Sequence, residues 1–167
     1  MRLSFLPRWI TPKVTDISPA FLQDKGIALL MLDFDNTIVP YTTSAPTAEM
    51  VEWLEQMRAS QIKLCVVSNS HKDRVKIFCD KYHIPCITHA RKPFSKGIKA
   101  CLKQFHADPR ECALAGDQIY TDTLGANFAG VSPILVKAIH NHTIWLKLRH
   151  IAELPFIFIA RKRRIQP

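Results

Sequence analysis

The chain of 167 residues lacks any apolar run approaching the ~20 residues of a membrane-spanning helix, so no segment reads as one. It lacks zinc-ligand spacing as well. The five cysteines, Cys65, Cys79, Cys86, Cys101 and Cys112, form no Cys-x-x-Cys pair, which argues against a structural zinc. Their odd number and mostly apolar surroundings point instead to reduced core thiols in a cytosolic-type compartment. A secretory pattern is missing, because the apolar residues of the opening Met-Arg-Leu-Ser-Phe-Leu-Pro-Arg-Trp are interrupted too soon. There is no low-complexity stretch and no internal repeat. The one closely spaced histidine pair, His140-x-His142, reads as a surface loop. Acidic residues are scarce toward the C-terminal end. Residues 137–167 hold seven basic residues against Glu153 alone, whereas residues 27–136 hold twelve against eleven acidic ones. A basic appendage on a nearly neutral middle suggests an anionic surface as partner, either membrane or nucleic acid.

What is present begins with Ile27–Leu32, a continuous apolar run bounded by Gly26 and long enough for a strand buried on both faces. It ends in Asp33-Phe34-Asp35-Asn36-Thr37. A loop with Pro40 and Pro46 follows. A helix is expected over Thr47–Ala59, where Met50, Val51, Leu54 and Met57 recur at helical spacing. Ile62–Val67 reads as a second strand, Lys72–Tyr82 as a helix with Val75, Phe78 and Cys79 inward, and Cys86–Thr88 as a short strand. A helix over Ser95–Phe105 with Ser95 as N-cap follows, then a strand at Cys112–Ala115. Next come a helix over Thr121–Ala129 closed by Gly130 and a strand at Ser132–Val136. Alternation of strands and helices predicts an α/β fold. Its form is a doubly wound, Rossmann-like parallel sheet with helices on both faces. Three parts are expected: an irregular lead-in over 1–26 with a short helix near Pro19–Lys25, a core over 27–140, and a basic, apolar tail over 141–167.

The strand ends carry the chemistry. Carboxyl ends of parallel strands share one edge, so Asp33 and Asp35, Ser68 and Asn69, Lys92, and Asp117 with Asp122 converge there. Phosphoryl transfer asks for such a set, since it needs positioning and charge compensation above all. Asp33 at the strand tip is the candidate nucleophile for an aspartyl-phosphate. Asp35, on the same side of an extended backbone, is the candidate general acid and base. Mg²⁺ takes oxygen ligands, which the carboxylates of Asp33 and Asp117 and the backbone carbonyl of Asp35 could supply. Lys92 can offset phosphate charge, and Ser68 with a neighbouring N–H can bind the transferring oxygens.

These residues resemble a known family. Asp33-Phe34-Asp35-Asn36-Thr37-Ile38 is similar to the first motif of the haloacid dehalogenase-like phosphatases, Asp-x-Asp-x-Thr. Val66-Val67-Ser68-Asn69 resembles the second, Lys92-Pro93 the third and Gly116-Asp117-Gln118-Ile119-Tyr120-Thr121-Asp122 the fourth, all in order. The resemblance implies Asp33 as nucleophile and Asp35 as acid/base. It implies Ser68, Asn69 and Lys92 on the substrate side, and Mg²⁺ held by Asp33, Asp35 and Asp117. Asp122 is implied as a supporting carboxylate near the metal or Lys92. The run from Gly116 to Asn127, Ala90-Arg91-Lys92-Pro93 and the segment Pro7 to Gly26 resemble the YqeG-like subclass IIIA group. That group is similar to phosphatidylglycerophosphatases. Coverage is about residues 5–140, with two departures: Ser70 where this group is expected to have Asn, and Phe128 where a basic residue is expected.

The gaps from Asp35 to Ser68 and from Ser68 to Lys92 leave no room for a cap domain, so an open, capless site is expected. Such a site suits a phosphate on something large. The tail places Trp145, Phe156, Phe158 and several aliphatics beside the basic residues 161–164, a combination suited to anionic lipid. The function expected is a Mg²⁺-dependent phosphomonoester phosphatase of the phosphatidylglycerophosphate type. It would be cytoplasmic, with peripheral contact at the inner face of a membrane. Two alternatives stand beside it: a nucleic-acid-end phosphatase, and a non-catalytic basic binding module on the same scaffold.

Overall fold

The computed structural model describes residues 4–43, 45–139 and 155–160. Its six strands are β1 (Trp9–Thr11), β2 (Leu29–Leu32), β3 (Lys63–Val67), β4 (Cys86–Ile87), β5 (Cys112–Gly116) and β6 (Ser132–Val136). They form one sheet in the order β1-β6-β5-β2-β3-β4, and every neighbouring pair is parallel. The helices are α1 (Pro19–Asp24), α2 (Ala48–Ala59), α3 (Asp73–Lys81), α4 (Lys96–Phe105) and α5 (Leu124–Ala129). Between β2 and β3 the described chain holds only loop and α2, and between β3 and β4 only loop and α3. Among the described residues, neither of these gaps holds an inserted domain.

Strand alternation divides the core. Leu30 and Leu32 of β2 pack with Leu22 of α1, Met50, Trp53 and Leu54 of α2, and Val75 and Phe78 of α3. Leu29 and Met31 face the other way, onto Ile98 and Cys101 of α4 and Ala126 of α5. Both faces of β2 are thus covered, which is why its sequence is an unbroken apolar run. The chain winds from β2 outward to β4, then returns to the opposite side of β2 as β5. Strand order reverses between β2 and β5, and the crevice beyond their carboxyl ends is where such sheets bind ligands.

The segment expected to be an irregular lead-in contains more than the helix α1. Trp9–Thr11 forms an edge strand in register with Ile134–Val136, continued by the Arg8 N–H donating to Pro133 O at 2.9 Å. Three residues between prolines carry no readable period, and only the pairing with β6 makes them a strand. On α2, Trp53 is buried where the periodicity singled out Val51, which is half-buried. The Trp53 indole N–H donates to Ile17 O at 2.8 Å, tying α2 to the start of the chain. Ser95 stands at the N-cap position of α4, but its side chain makes no capping bond. The last helix begins as a π-helical turn at Ile119–Thr123, and Gly130 closes it in the left-handed conformation at φ 77°.

The cysteines are free, four of them buried and Cys86 half-buried. Residues 155–160 are helical, and the Phe156 ring packs 5.2 Å from that of Phe5. The rest of the expected tail, with His140, His142, Trp145 and residues 161–164, lies outside the described residues. No described helix is long and apolar enough to cross a membrane.

Candidate active site

The Asp33 N–H still donates to Ala115 O at 2.9 Å, so the sheet ladder holds the first carboxylate at the tip of β2. The chain then turns sharply. The Asn36 N–H donates to Val39 O at 2.7 Å, and Asn36 itself adopts φ 61°, a left-handed conformation that asparagine tolerates better than most residues. Asp117 follows directly on β5, and Asp122 sits in the π-helical turn behind it. One oxygen from each of Asp33, Asp117 and Asp122 lies within 4.8 Å of the other two, and all three residues are buried. Gly116 permits this closeness, since a Cβ there would collide with the Asp122 carboxyl group.

Lys92 enters the cluster from the loop after β4. Its Nζ lies 2.6 Å from Asp33 Oδ1 and 2.7 Å from Asp122 Oδ1, with the side chain 1% exposed. Burial would push the ammonium down, but the carboxylates of Asp122 and Asp33 outweigh it and hold its pKa above the ordinary lysine range. Burial pushes the Asp33 carboxyl up to about 7 against the pull of Lys92. The Asn69 amide fixes Lys92 in place: its Nδ2 donates to Lys92 O at 2.8 Å, and the Lys92 N–H donates to Asn69 Oδ1 at 2.6 Å. Asn69, expected on the substrate side, thus has its amide engaged on the Lys92 backbone. The Lys92–Pro93 peptide is cis.

Ser68, at the end of β3, is buried; its Oγ accepts the Ser70 N–H at 3.0 Å. Asp35 lies apart from the three-carboxylate cluster. Its Oδ1 is 3.1 Å from Arg74 Nη2. Burial raises the Asp35 pKa, while the Arg74 guanidinium opposes that rise. A crevice of about 380 Å³ joins these groups, lined by Asp33, Asp35, Ser68, Asn69 and Lys92, with Tyr41 and Thr121 at its walls.

The structure therefore brings Asp33, Lys92, Asp117 and Asp122 into contact range and sets Asp35, Ser68 and Asn69 around the same crevice. Asp122 engages Lys92, one of the two places the sequence assigns it. Arg74 and Tyr41 were not foreseen. Arg74 stands six residues after Ser68, in the first turn of α3 among other basic residues, and only the folded loop reveals its partner.

The donor set fits a hard divalent cation. All three ligand groups are carboxylate oxygens, and when ionised they face a single ammonium, which leaves the cluster short of positive charge. Asp122 has its oxygens on Lys92 and on the Gln118 N–H at 3.1 Å, so Asp33 and Asp117 are the side chains better placed as ligands.

A buried aspartate at the switch point, paired with a buried lysine and beside a second strand-tip carboxylate, is an arrangement suited to phosphoryl hydrolysis. A family model described as haloacid dehalogenase-like hydrolase matches residues 12–130, and the chain belongs to that family. It is 35% identical over 132 residues to the probable phosphatase YqeG of Bacillus subtilis, covering 79% of this chain and 77% of the relative. The glyceraldehyde 3-phosphate phosphatase of Pyrococcus furiosus is 26% identical; the match covers 78% of this chain but 53% of that protein, about half its length. Among solved structures, the cobalt-bound deoxy-D-mannose-octulosonate 8-phosphate phosphatase of Haemophilus influenzae shares the fold. Its TM-score is 0.54 at 12% identity, over 83% of this chain and 92% of that one.

Proposed function

We propose that this hydrolase is a phosphomonoester phosphatase that works through an aspartyl-phosphate on Asp33, with Mg²⁺ as its cofactor. The observation that carries the reading is the buried contact of Asp33 with Lys92 beside Asp117 at the strand switch point. Asp33 and Asp117, with the Asp35 carbonyl, would hold the ion, whose role when bound is to neutralise phosphate charge and keep Asp33 ionised.

Ser68 and Lys92 orient the phosphate so that an Asp33 oxygen attacks phosphorus in line with the ester oxygen. As the new bond forms, the bond to the leaving oxygen breaks, and that oxygen takes a proton from the Asp35 carboxyl. The resulting Asp35 carboxylate then removes a proton from water. The water oxygen attacks phosphorus, the bond to Asp33 breaks and inorganic phosphate leaves.

The substrate we infer is a phosphorylated lipid headgroup of the phosphatidylglycerophosphate type. An uncapped crevice supports it, as do the exposed Phe158 and Ile159 next to the basic residues 161–164. In this reading the protein docks peripherally on anionic lipid. The YqeG relative is itself described as a probable phosphatase, and the archaeal relatives act on a small phosphomonoester, which supports the reaction class.

The test is phosphate release from phosphatidylglycerophosphate in vesicles, from soluble phosphomonoesters and from a 3′-phosphorylated oligonucleotide, with Mg²⁺ present. Wild type should act fastest on the lipid, and Asp33→Asn should be inactive on all three. Release by Asp33→Asn at the wild-type rate would reject the mechanism. Turnover of soluble esters alone would reject the lipid substrate, and preference for the oligonucleotide would install the nucleic-acid reading. Failure of wild type to act on any phosphomonoester would leave a binding module.

A further inference from the structure

Arg74 touches the start and the middle of the loop that follows β2. It stands in the first turn of α3 with its side chain folded inward, 14% exposed. Its Nη2 lies 3.1 Å from Asp35 Oδ1 and donates to Pro40 O at 2.9 Å. Its Nη1 donates to Tyr41 O at 2.7 Å, and the guanidinium carbon lies 5.2 Å from the centroid of the Phe34 ring. One planar group thus engages Phe34 and Asp35 where the loop leaves the sheet, and Pro40 and Tyr41 where it passes the crevice.

Such a set needs a guanidinium. Its donors sit in a fixed fork and its faces stack on aromatic rings, whereas an ammonium is a point charge with neither property. Asp35 forms no other ion pair among the described residues. Without Arg74 the carboxyl would lose this ion pair, and the Pro40 and Tyr41 carbonyls would each lose a hydrogen bond. Asp35 and Tyr41 line the crevice; Arg74 does not.

We infer that Arg74 is the positioning residue for Asp35, pairing with its carboxyl while hydrogen-bonding the Pro40–Tyr41 backbone so that proton transfer occurs at a fixed place. The inference rests on the phosphatase reading above, in which Asp35 is the acid. It also couples two strand ends. The segment that supplies Ser68 to the phosphate runs directly into the helix whose first turn aims Asp35. Phosphate binding and protonation of the leaving group are therefore set by one rigid connection.

Leaving-group dependence tests the role, because a poor leaving group needs the proton and a good one does not. The probes are 4-nitrophenyl phosphate, whose leaving group departs readily, and two alkyl esters, glycerol 3-phosphate and phosphatidylglycerophosphate in detergent micelles. Arg74→Ala should lower kcat/KM, which reports the first step, on the alkyl esters about 100-fold, the scale of general acid catalysis, and on the nitrophenyl ester less than about 5-fold. Asp35→Asn should show the same selectivity in kcat/KM, while its kcat falls on every ester because Asp35 also activates the water. Adding Arg74→Ala to Asp35→Asn should cost less than about twofold more, since both remove one function. Arg74→Lys keeps a cation and the stem over Phe34, and should recover only part of the loss. It also serves where Arg74→Ala fails to fold.

Equal loss of kcat/KM on aryl and alkyl esters would overturn the inference, as would multiplicative losses in the double variant or full activity in Arg74→Lys. Wild-type turnover is the separate arm. If wild type hydrolyses none of the esters, the phosphatase reading falls and the role of Arg74 with it. If wild type is active and the variants lack the selectivity, only the inference falls.

Discussion

Lys92 is the residue on which the site's electrostatics turn. Its ammonium separates Asp33 from Asp122, both buried, and its position depends on the Asn69 amide. Removing one partner of a buried ion pair leaves the others uncompensated, at a cost of about 3–5 kcal/mol. Lys92→Met should therefore lower unfolding stability by that amount in urea, measured with a chelator so that no added cation substitutes for the lost charge. It should also abolish turnover. Asn69→Ala leaves the charges in place and frees their mount, so it should reduce kcat with a much smaller loss of stability. Gly116 belongs to the same argument. A methyl group there pushes against the Asp122 carboxyl, so Mg²⁺ should raise the Tm of the wild type and Gly116→Ala should shrink that rise.

At the level of elements, α2 is held by more than its apolar stripe. The Trp53 indole N–H satisfies the Ile17 carbonyl, and Trp53→Phe leaves that carbonyl without its buried donor. A loss of about 1–3 kcal/mol is expected in urea unfolding, with activity retained because neither Trp53 nor Ile17 lines the crevice. The same contact shows which elements could be read from sequence. The strands β2, β3, β5 and β6 are apolar runs between turn residues, and α2, α3 and α4 repeat their buried positions at helical spacing. Each announces itself locally. Trp9–Thr11 does not, because it becomes a strand only by pairing with residues some 125 positions away. Asp33, Ser68, Lys92 and Asp117 could be found because each closes a strand or follows one, where parallel sheets gather their ligands. Arg74 could not. It lies on a helix, and what makes it relevant is the return of Pro40 and Tyr41 over that helix, which no spacing in the sequence encodes.

For the whole molecule, the proposed lipid substrate poses the question of how an open site would meet its phosphate. The near-neutral core supplies little attraction of its own, whereas residues 161–164 add four positive charges just beyond a helix whose Phe158 and Ile159 are 70% and 60% exposed. Each basic side chain near an anionic surface contributes about 1 kcal/mol, so together they could change vesicle affinity by about three orders of magnitude. Exposed aromatic and aliphatic groups add an apolar component that salt does not screen. The two parts separate experimentally. Replacing Arg161, Lys162, Arg163 and Arg164 by glutamine should strongly weaken cosedimentation with vesicles containing phosphatidylglycerol and remove most of its salt dependence. Replacing Phe158 and Ile159 by serine should weaken binding at every salt concentration. Neither change touches Asp33, Lys92 or Asp117, so hydrolysis of 4-nitrophenyl phosphate should be unaltered while turnover of vesicle-borne substrate falls. If the glutamine variant binds and turns over vesicles like wild type, the basic residues are a solvated end and docking resides elsewhere on the molecule.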